Sequence, residues 1–509
     1  MTEGKADCTV AVIGAGAAGA LTAARLLDAT DRALRVVLID PDRATARGVA
    51  YSTPDGRHLL NVPAAGMSAL PDEADDFVNW LHEHVDANIK SSTFVARARY
   101  GDYLADHLAA SARRSSARLV RRHDRVVAVD HTTGRQVVLR FDSGETLAAD
   151  AAVLATGTSP GVAWAPPGLL TSDRFVRDPW VPGVLDGLPD TDVLLVGTGL
   201  TMVDVVLAAD RPSRPLHAVS RHGVVPAVHR SEKTPPVPAP AELAEADSLD
   251  SLRSTLRRHV AQTVRRTGDW RAAIDGLRPI TAQVWKRLSD SDKQEFLRND
   301  ARAWDAHRHR MAPVTAERLA AVRESGRLCQ HTGEVVAAED TGDAIRVLLS
   351  DGTAMTVGAV VNCTGPVGDA SADPLLASLL ACGLARAGSA GLGLDTADDG
   401  RILGATGRLA PLWTLGALRR GSLWESTAMP EIRTQAADVA TGVAAYLSRP
   451  AVRAHSSRLA APHELMIGDR GDDAATLLDK RLTRRPSPLD VRRRNALATH
   501  PGIAVDHTA

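Results

Sequence analysis

Residues 9–40 read TVAVIGAGAAGALTAARLLDATDRALRVVLID. The order of chemistry in this stretch decides the fold. Thr9 to Ile13 is a short β-branched apolar run, and Gly14-Ala15-Gly16-Ala17-Ala18-Gly19 follows it. An Ala/Leu-rich segment then runs to about Ala29, and Arg35 to Ile39 is a second apolar run that ends in Asp40. The spacing predicts a strand, a tight glycine turn, a helix and a second strand, a βαβ unit with a G-x-G-x-x-G turn. Glycines permit the tight turn and a close backbone approach, so that a pyrophosphate can rest on the helix N-terminus. Asp40 stands where an acidic residue accepts hydrogen bonds from a ribose hydroxyl. Gly14, Gly16, Gly19 and Asp40 are therefore expected to hold a dinucleotide.

A second turn of this kind lies far downstream. Asp192 to Val196 reads as a buried strand, followed by Gly197-Thr198-Gly199-Leu200-Thr201-Met202, in which Met202 replaces the third glycine. The next strand, Pro215 to Val219, ends in Ser220-Arg221-His222 with no carboxylate. A carboxylate suits a free 2′-hydroxyl, whereas Ser, Arg and His suit a 2′-phosphate. The expected ligand of Gly197, Gly199, Thr201, Ser220, Arg221 and His222 is thus NADPH; a solvent-facing loop arginine is the plainer reading of Arg221.

Each turn is followed by the same pattern. Asp124 to Gly157 reads DRVVAVDHTTGRQVVLRFDSGETLAADAAVLATG, and Gly333 to Gly365 reads GEVVAAEDTGDAIRVLLSDGTAMTVGAVVNCTG. Both predict a three-stranded meander with a Gly-containing tight turn, then a buried return strand ending in Thr-Gly. The repeat implies an α/β chain with two Rossmann-like dinucleotide-binding domains. The chain after Gly365 must return to complete the first, so the second interrupts it.

Between the second turn and its meander lies an insertion. A Pro-rich linker (Pro226, Pro235, Pro236, Pro238, Pro240) leads into residues 241–326, which carry Leu, Val and Ala at helical spacing. Trp285-Lys286-Arg287 and Trp304-Asp305-Ala306-His307-Arg308-His309-Arg310 stand out within it. A solvated basic helix face with core tryptophans explains them without function. Thr427 to Leu447 predicts a helix, with Pro430 in its first turn and Glu431 at its positive dipole end. Trp413, Gly416, Trp424 and Glu425 precede it in a segment expected to meet an electron-rich ring edge. Lys480, Arg481, Arg484, Arg485, Arg492, Arg493 and Arg494 form a basic tail, expected to be mobile or a contact arm.

Composition removes several classes. The chain has 509 residues, 44% of them hydrophobic, and a net charge of −1, which gives no global argument for nucleic acid or an anionic membrane. No run approaches a membrane span, and no apolar leader precedes Cys8, so a cytoplasmic location is expected. Cys8, Cys329, Cys363 and Cys382 have neither CxxC nor metal-ligand spacing, which excludes a disulfide scaffold, a zinc module and a dithiol relay. Aromatics are scarce at 3%, yet eight are Trp.

Further segments carry a family resemblance. These are Gly48-Val49-Ala50-Tyr51-Ser52, His58-Leu59-Leu60-Asn61-Val62-Pro63-Ala64, Met67-Ser68, Asp76-Phe77, Trp80 and Arg99-Tyr100-Gly101-Asp102-Tyr103-Leu104. With Gly197 to Met202, Asn362-Cys363-Thr364-Gly365-Pro366 and Arg420 to Arg433, they make residues 10–447 resemble a bacterial FAD/NAD(P)-binding protein family related to the class B flavin monooxygenases. The resemblance implies an FAD domain in two parts, residues 7–190 and 367–450. Between them lies an NADPH domain, 191–366, containing the 241–326 insertion, with a tail over 451–509. The best-understood relatives are amine N-hydroxylases, including those that oxidise aspartate to nitrosuccinate. By that analogy NADPH reduces FAD, O2 gives a flavin hydroperoxide, and its distal oxygen passes to a substrate nitrogen. The cofactor carries the hard chemistry and the protein orients and shields it.

Under that reading Thr156 and Gly157 lie beside FAD, and His58 and Asn61 lie near the flavin ring, with Trp424 and Glu425 at its other edge. Structural alternatives exist for each: a satisfied histidine, a turn asparagine, a packed tryptophan. Arg308 and Arg310 would clamp the carboxylate of an acidic amino acid, and His309 would take the proton of a substrate ammonium. The expected function is an FAD- and NADPH-dependent monooxygenase that N-hydroxylates a small amine or amino acid, aspartate-like substrates included. The competing readings are an oxidoreductase that moves electrons without oxygen insertion, and a non-enzymic flavin-bound interaction protein.

Overall fold

The computed structural model describes residues 8–29, 33–131, 136–158, 161–232, 234–365, 370–407 and 409–449. The basic tail lies outside the described residues. The first strands are β1 (Cys8–Ile13), β2 (Leu34–Ile39), β3 (Arg118–Arg122), β4 (Val126–His131), β5 (Val137–Phe141), β6 (Thr146–Ala149) and β7 (Ala151–Leu154). Then come β8 (Phe175–Val176), β9 (Val193–Val196), β10 (Leu216–Ser220), β11 (Leu328–Thr332), β12 (Val335–Asp340), β13 (Ile345–Leu349), β14 (Ala354–Val357) and β15 (Ala359–Asn362). The last are β16 (Arg401–Leu403) and β17 (Leu409–Thr414).

Two sheets carry the fold. The first has the order β16-β17-β7-β1-β2-β3, with Val10 beside Val36 on one side and Ala151 on the other. Its pairs are parallel except for β16 with β17 at the edge. The second is fully parallel, in the order β11-β10-β9-β15-β8. In each, the central strands (β1 and β7; β9 and β15) are near-continuous apolar runs, because both faces are covered.

One face of the first sheet packs on the Ala17–Asp28 helix and on the C-terminal helix Met429–Ser448, through Leu21, Leu26, Ile432 and Val439. Its other face packs on the β4-β5-β6 meander through Val129 and Leu139. The second sheet repeats this scheme. The Leu200–Ala209 helix covers one face through Met202 and Val206, and the β12-β13-β14 meander covers the other through Ile345 and Val347. β17, which follows the second sheet in sequence, joins β7 of the first, as the return of the chain requires.

Trp413 departs from its expected place. It lies within β17, fully buried beneath the C-terminal helix and edge-on to Tyr446, so it is core and not part of a ring-facing loop. Between β10 and β11 stand the helices of the insertion, among them Leu249–Thr267, Thr281–Arg287, Asp290–Asn299 and Ala301–Arg308.

Candidate functional site

The first glycine turn joins β1 to the Ala17–Asp28 helix. Gly14 has φ +99°, and a Cβ there would lie 2.4 Å from the carbonyl oxygen of Ala155 at the end of β7. The turn and the strand beside it thus touch backbone to backbone. Gly16 opposes the Cα of Gly48, which leaves the helix N-terminus open to a close ligand. No side chain caps that N-terminus and no acidic residue occupies its first turn. Asp40 holds the turn from the end of β2: Oδ2 accepts the Ala15 N–H at 2.7 Å and Oδ1 the Asp42 N–H at 2.9 Å. Thr156 and Gly157 follow β7 and are exposed beside Gly14. An uncapped, glycine-lined helix start with a carboxylate at the next strand end fits the diphosphate and ribose of a dinucleotide.

The second turn has the same construction with one difference. Gly197 has φ +110° and contacts the backbone of Cys363 as Gly14 contacts that of Ala155. Met202, in place of the third glycine, is a core residue of this sheet. The difference is at Gly199, whose nearest neighbour is Nη1 of Arg302 rather than another glycine. Arg302 gives Nη2 to Thr198 Oγ1 at 3.3 Å and to the carbonyl of Val224 at 2.5 Å. Burial lowers its pKa, and the field of Asp305 opposes that. Thr201 lies in the first turn of the helix, half-buried. Ser220 is bonded to Thr198 at 2.8 Å. Arg221 is 67% exposed with only a 3.8 Å approach to Glu334, and His222 is exposed beside it. An unsaturated guanidinium at that strand end fits a 2′-phosphate.

Two arginine–carboxylate forks fix the insertion against the first sheet's C-terminal segment. Arg308 meets both oxygens of Glu425 at 2.9 and 3.1 Å, with both side chains nearly buried. Arg278 meets both oxygens of Glu431 at 2.6 Å, at the N-terminus of the Met429–Ser448 helix. The Ala301–Arg308 helix therefore has Arg302 on the second glycine turn and Arg308 on the loop of the first sheet. Asp305 on this helix and His309 at its C-terminal end lie 3.7 Å apart, each with about a third of its side chain exposed. Desolvation raises the Asp305 pKa and lowers that of His309, and their mutual attraction opposes both shifts. Burial favours a neutral imidazole on His309, the form that accepts a proton.

Several expected site residues have other partners. His58 is buried, with Nδ1 bonded to Thr53 Oγ1 at 2.7 Å and Nε2 to the carbonyl of Asp204 at 3.1 Å. Both ring nitrogens are engaged, so His58 ties the 53–61 loop to the Leu200–Ala209 helix and has none free for a flavin edge. Asn61 differs: its carbonyl accepts from His229 Nε2 at 3.0 Å, while its half-buried side-chain amide makes no hydrogen bond among the described residues. Arg308 and Arg310 do not form an open carboxylate clamp. Arg308 is held by Glu425. Arg310 gives Nη2 to Asp275 at 2.6 Å, and its Nε and Nη1 are closed off from solvent. Glu425 serves Arg308, and Trp424 packs against Trp285 and Phe296 of the insertion at 4.9 and 5.0 Å between ring centroids.

Sequence reasoning missed the partners. Arg97 pairs with Asp204, buried on the Leu200–Ala209 helix, and lies 5.6 Å over the Trp180 ring. Arg278, Asp275 and Arg302 carried no motif; only their density of charge in an otherwise apolar helical segment marked them. His229 reaches Asn61, and burial with the nearby Arg310 lowers its pKa to about 4.

Residues 11–159 match a family model described as FAD-NAD(P)-binding. No curated protein matches the chain in sequence. The fold is that of several solved structures. The reduced form of an ornithine hydroxylase from Pseudomonas aeruginosa is 17% identical, with 87% of this chain and 99% of that one covered and a TM-score of 0.59. An ornithine N-hydroxylase of Kutzneria sp. 744, with reduced FAD, NADP+ and L-orn, is 17% identical over 87% and 100%, with a TM-score of 0.57. An L-lysine 6-monooxygenase from Pseudomonas syringae is 17% identical over the same shares, with a TM-score of 0.56. At this identity the likeness is one of fold.

Proposed function

We propose that this protein is an FAD- and NADPH-dependent monooxygenase that hydroxylates the nitrogen of a small amine. One observation carries the reading. Each of two sheets carries a dinucleotide-type turn, and a single helix of the insertion touches the second turn through Arg302 and a loop of the first sheet's C-terminal segment through Arg308. Asp305 and His309, 3.7 Å apart, lie along that helix and just beyond its end. The family model over residues 11–159 and the shared fold of the amino-acid N-hydroxylases support the same reading.

Gly14, Gly16, Gly19, Asp40, Thr156 and Gly157 would hold FAD. Gly197, Gly199, Thr201, Ser220, Arg221 and His222 would hold NADPH, with Arg302 against its diphosphate. FAD, when bound, supplies hydride acceptance and oxygen activation. The chain's own work is placement and exclusion of water. The two forks hold the insertion against the first sheet's C-terminal segment, which would exclude water from bound FAD. Asp305 attracts a substrate ammonium, and His309 removes its proton, because only the neutral amine has a lone pair to attack oxygen. The sum is amine, O2, NADPH and a proton giving hydroxylamine, water and NADP+. The domain boundaries expected from the sequence suit this division of labour.

The electron-transfer alternative has less support. Cys363 ends the second return strand fully buried, and burial pushes its thiol up, away from thiolate chemistry. No disulfide joins the four cysteines. The test is turnover of FAD-loaded protein with NADPH, O2 and an amine panel, followed by product mass. Hydroxylamine formed in step with NADPH supports the reading; hydrogen peroxide alone with every amine refutes it.

A further inference from the structure

The two glycine turns differ in what faces them. Gly16 opposes the Cα of Gly48. Gly199 instead faces a cation: a Cβ there would lie 3.6 Å from Nη1 of Arg302. That arginine belongs to neither sheet but to the Ala301–Arg308 helix of the insertion. The Leu200–Ala209 helix, which starts after Gly199, has no capping side chain and no acid in its first turn. A guanidinium thus stands before the positive end of a helix.

That arrangement lacks a counter-charge. A guanidinium carries five N–H donors. Among the described residues only Nη2 of Arg302 has acceptors, the hydroxyl of Thr198 and the carbonyl of Val224, and both are neutral. Asp305, one turn along the same helix, acts on Arg302 through its field but is paired with His309. A helix start and a guanidinium repel each other, and an anion placed between them attracts both. The diphosphate of a dinucleotide is such an anion.

The other end of the Ala301–Arg308 helix is tied elsewhere. Arg308 lies six residues beyond Arg302, about 9 Å along the axis, and meets both oxygens of Glu425. One end of the helix is therefore held by a charged fork, and the end at the second turn by two neutral contacts.

We infer that a dinucleotide bound at the second turn fastens the insertion, its diphosphate bridging Gly199 and Arg302, so that occupancy of the turn and docking of the Ala301–Arg308 helix form one equilibrium. The inference rests on the proposed dinucleotide reading of that turn and adds a consequence to it. Coupling of this kind is reciprocal. Whatever factor Arg302 contributes to dinucleotide affinity, the bound dinucleotide returns as resistance of the helix to opening. The insertion is secured while the dinucleotide is present and loosened when it leaves.

The test is calorimetric binding of NADP+, NAD+ and adenosine 2′-phosphate to FAD-loaded protein, with hydrogen exchange of the 301–308 amides followed in each complex. Arg302→Met should weaken NADP+ about tenfold or more, the contribution of a hydrogen bond to a charged group, and leave adenosine 2′-phosphate, which has no diphosphate, unchanged. Arg302→Lys, which keeps the charge without the planar fork, should lose less. In the wild type NADP+ should slow exchange over 301–308 by the factor that Arg302→Met loses in affinity. In Arg302→Met it should not, and adenosine 2′-phosphate should slow it in neither protein. Equal NADP+ affinity in wild type and Arg302→Met, an equal loss of NADP+ and adenosine 2′-phosphate, or unchanged exchange over 301–308 on adding NADP+ overturns the inference. Selective NADP+ binding with an indifferent Arg302→Met leaves the NADPH site standing and removes only the fastening. NAD+ bound as tightly as NADP+, with both weakened in Arg302→Met, upholds the fastening and refutes the 2′-phosphate assignment. Wild-type protein that binds neither dinucleotide refutes both.

Discussion

Replacing Arg308 by Met keeps the length of the side chain and removes the guanidinium. Glu425 then remains with about 10% of its side chain exposed and without its two-pronged partner. Each hydrogen bond to a charged group contributes about 1.5–3 kcal/mol, and stranding one member of a nearly buried pair costs about 3–5 kcal/mol. The low end applies here, because Asp275, 3.9 Å from Arg308, keeps its own contact with Arg310. A loss of about 3 kcal/mol lowers Tm by about 6 °C on the scale of large domains. Glu425→Gln alone should fall by a similar amount. The double variant Arg308→Met/Glu425→Gln should recover much of it, with a coupling of about 2 kcal/mol or more across the double-mutant cycle. The assay is denaturant unfolding of the FAD-loaded protein for all four members of the cycle. The single variants should also release more hydrogen peroxide per NADPH, because the fork holds the insertion against the first sheet's C-terminal segment. Additive effects within about 0.5 kcal/mol, with unchanged peroxide release, would refute the reasoning that this fork joins the two parts.

Other substitutions separate the two nucleotide turns. Gly14→Ala places a Cβ 2.4 Å from a strand carbonyl at φ +99°, so the protein should be recovered without flavin, as absorbance shows. Gly199→Ala meets only the tip of Arg302 at 3.6 Å, so flavin content should stay normal while the KM for NADPH rises about tenfold or more. Arg221→Ala should weaken NADPH about tenfold and leave NADH unchanged in direct titrations; equal losses would remove Arg221 from the 2′-phosphate. His229 has a folded pKa of about 4, below the unfolded value of about 6.5. The unfolded state therefore binds the proton first, and up to roughly 3 kcal/mol of stability, complete above pH 6.5, is lost as pH falls toward 4. His229→Gln should flatten that dependence in thermal melts across this window.

What was legible in the sequence was local. The glycine turns, the apolar return strands and the tight turns of the meanders each follow from residues within about thirty positions. They placed both glycine turns and required the chain after Gly365 to return to the first sheet, which it does through β17. The site's fastenings were not legible, because they pair residues far apart: Arg308 with Glu425 across 117 positions and Arg278 with Glu431 across 153. Arg308 and Arg310 read as a substrate clamp because sequence shows a charge but not its partner. His58 read as a flavin neighbour for the same reason, its two partners being a loop hydroxyl and a carbonyl of the helix packed on the other sheet. Trp413 fell outside its strand because β17 is covered on both faces and carries no alternation. The tryptophan surplus has a partial physical account: Trp285, Trp304 and Trp424 wall one cavity, Trp180 backs Arg97, and Trp164 donates to Asn362.

N-hydroxylation by this protein requires that electrons from NADPH be coupled to oxygen insertion at a substrate nitrogen. Its most direct measurement is the stoichiometry of NADPH oxidised, O2 consumed and hydroxylamine formed by FAD-loaded protein supplied with the small primary amine that most stimulates NADPH oxidation. The expected ratio is close to one to one to one, with hydrogen peroxide a minor product. NADPH oxidation that proceeds equally well with an artificial acceptor under anaerobic conditions, and never yields an oxygenated amine in air, would contradict it.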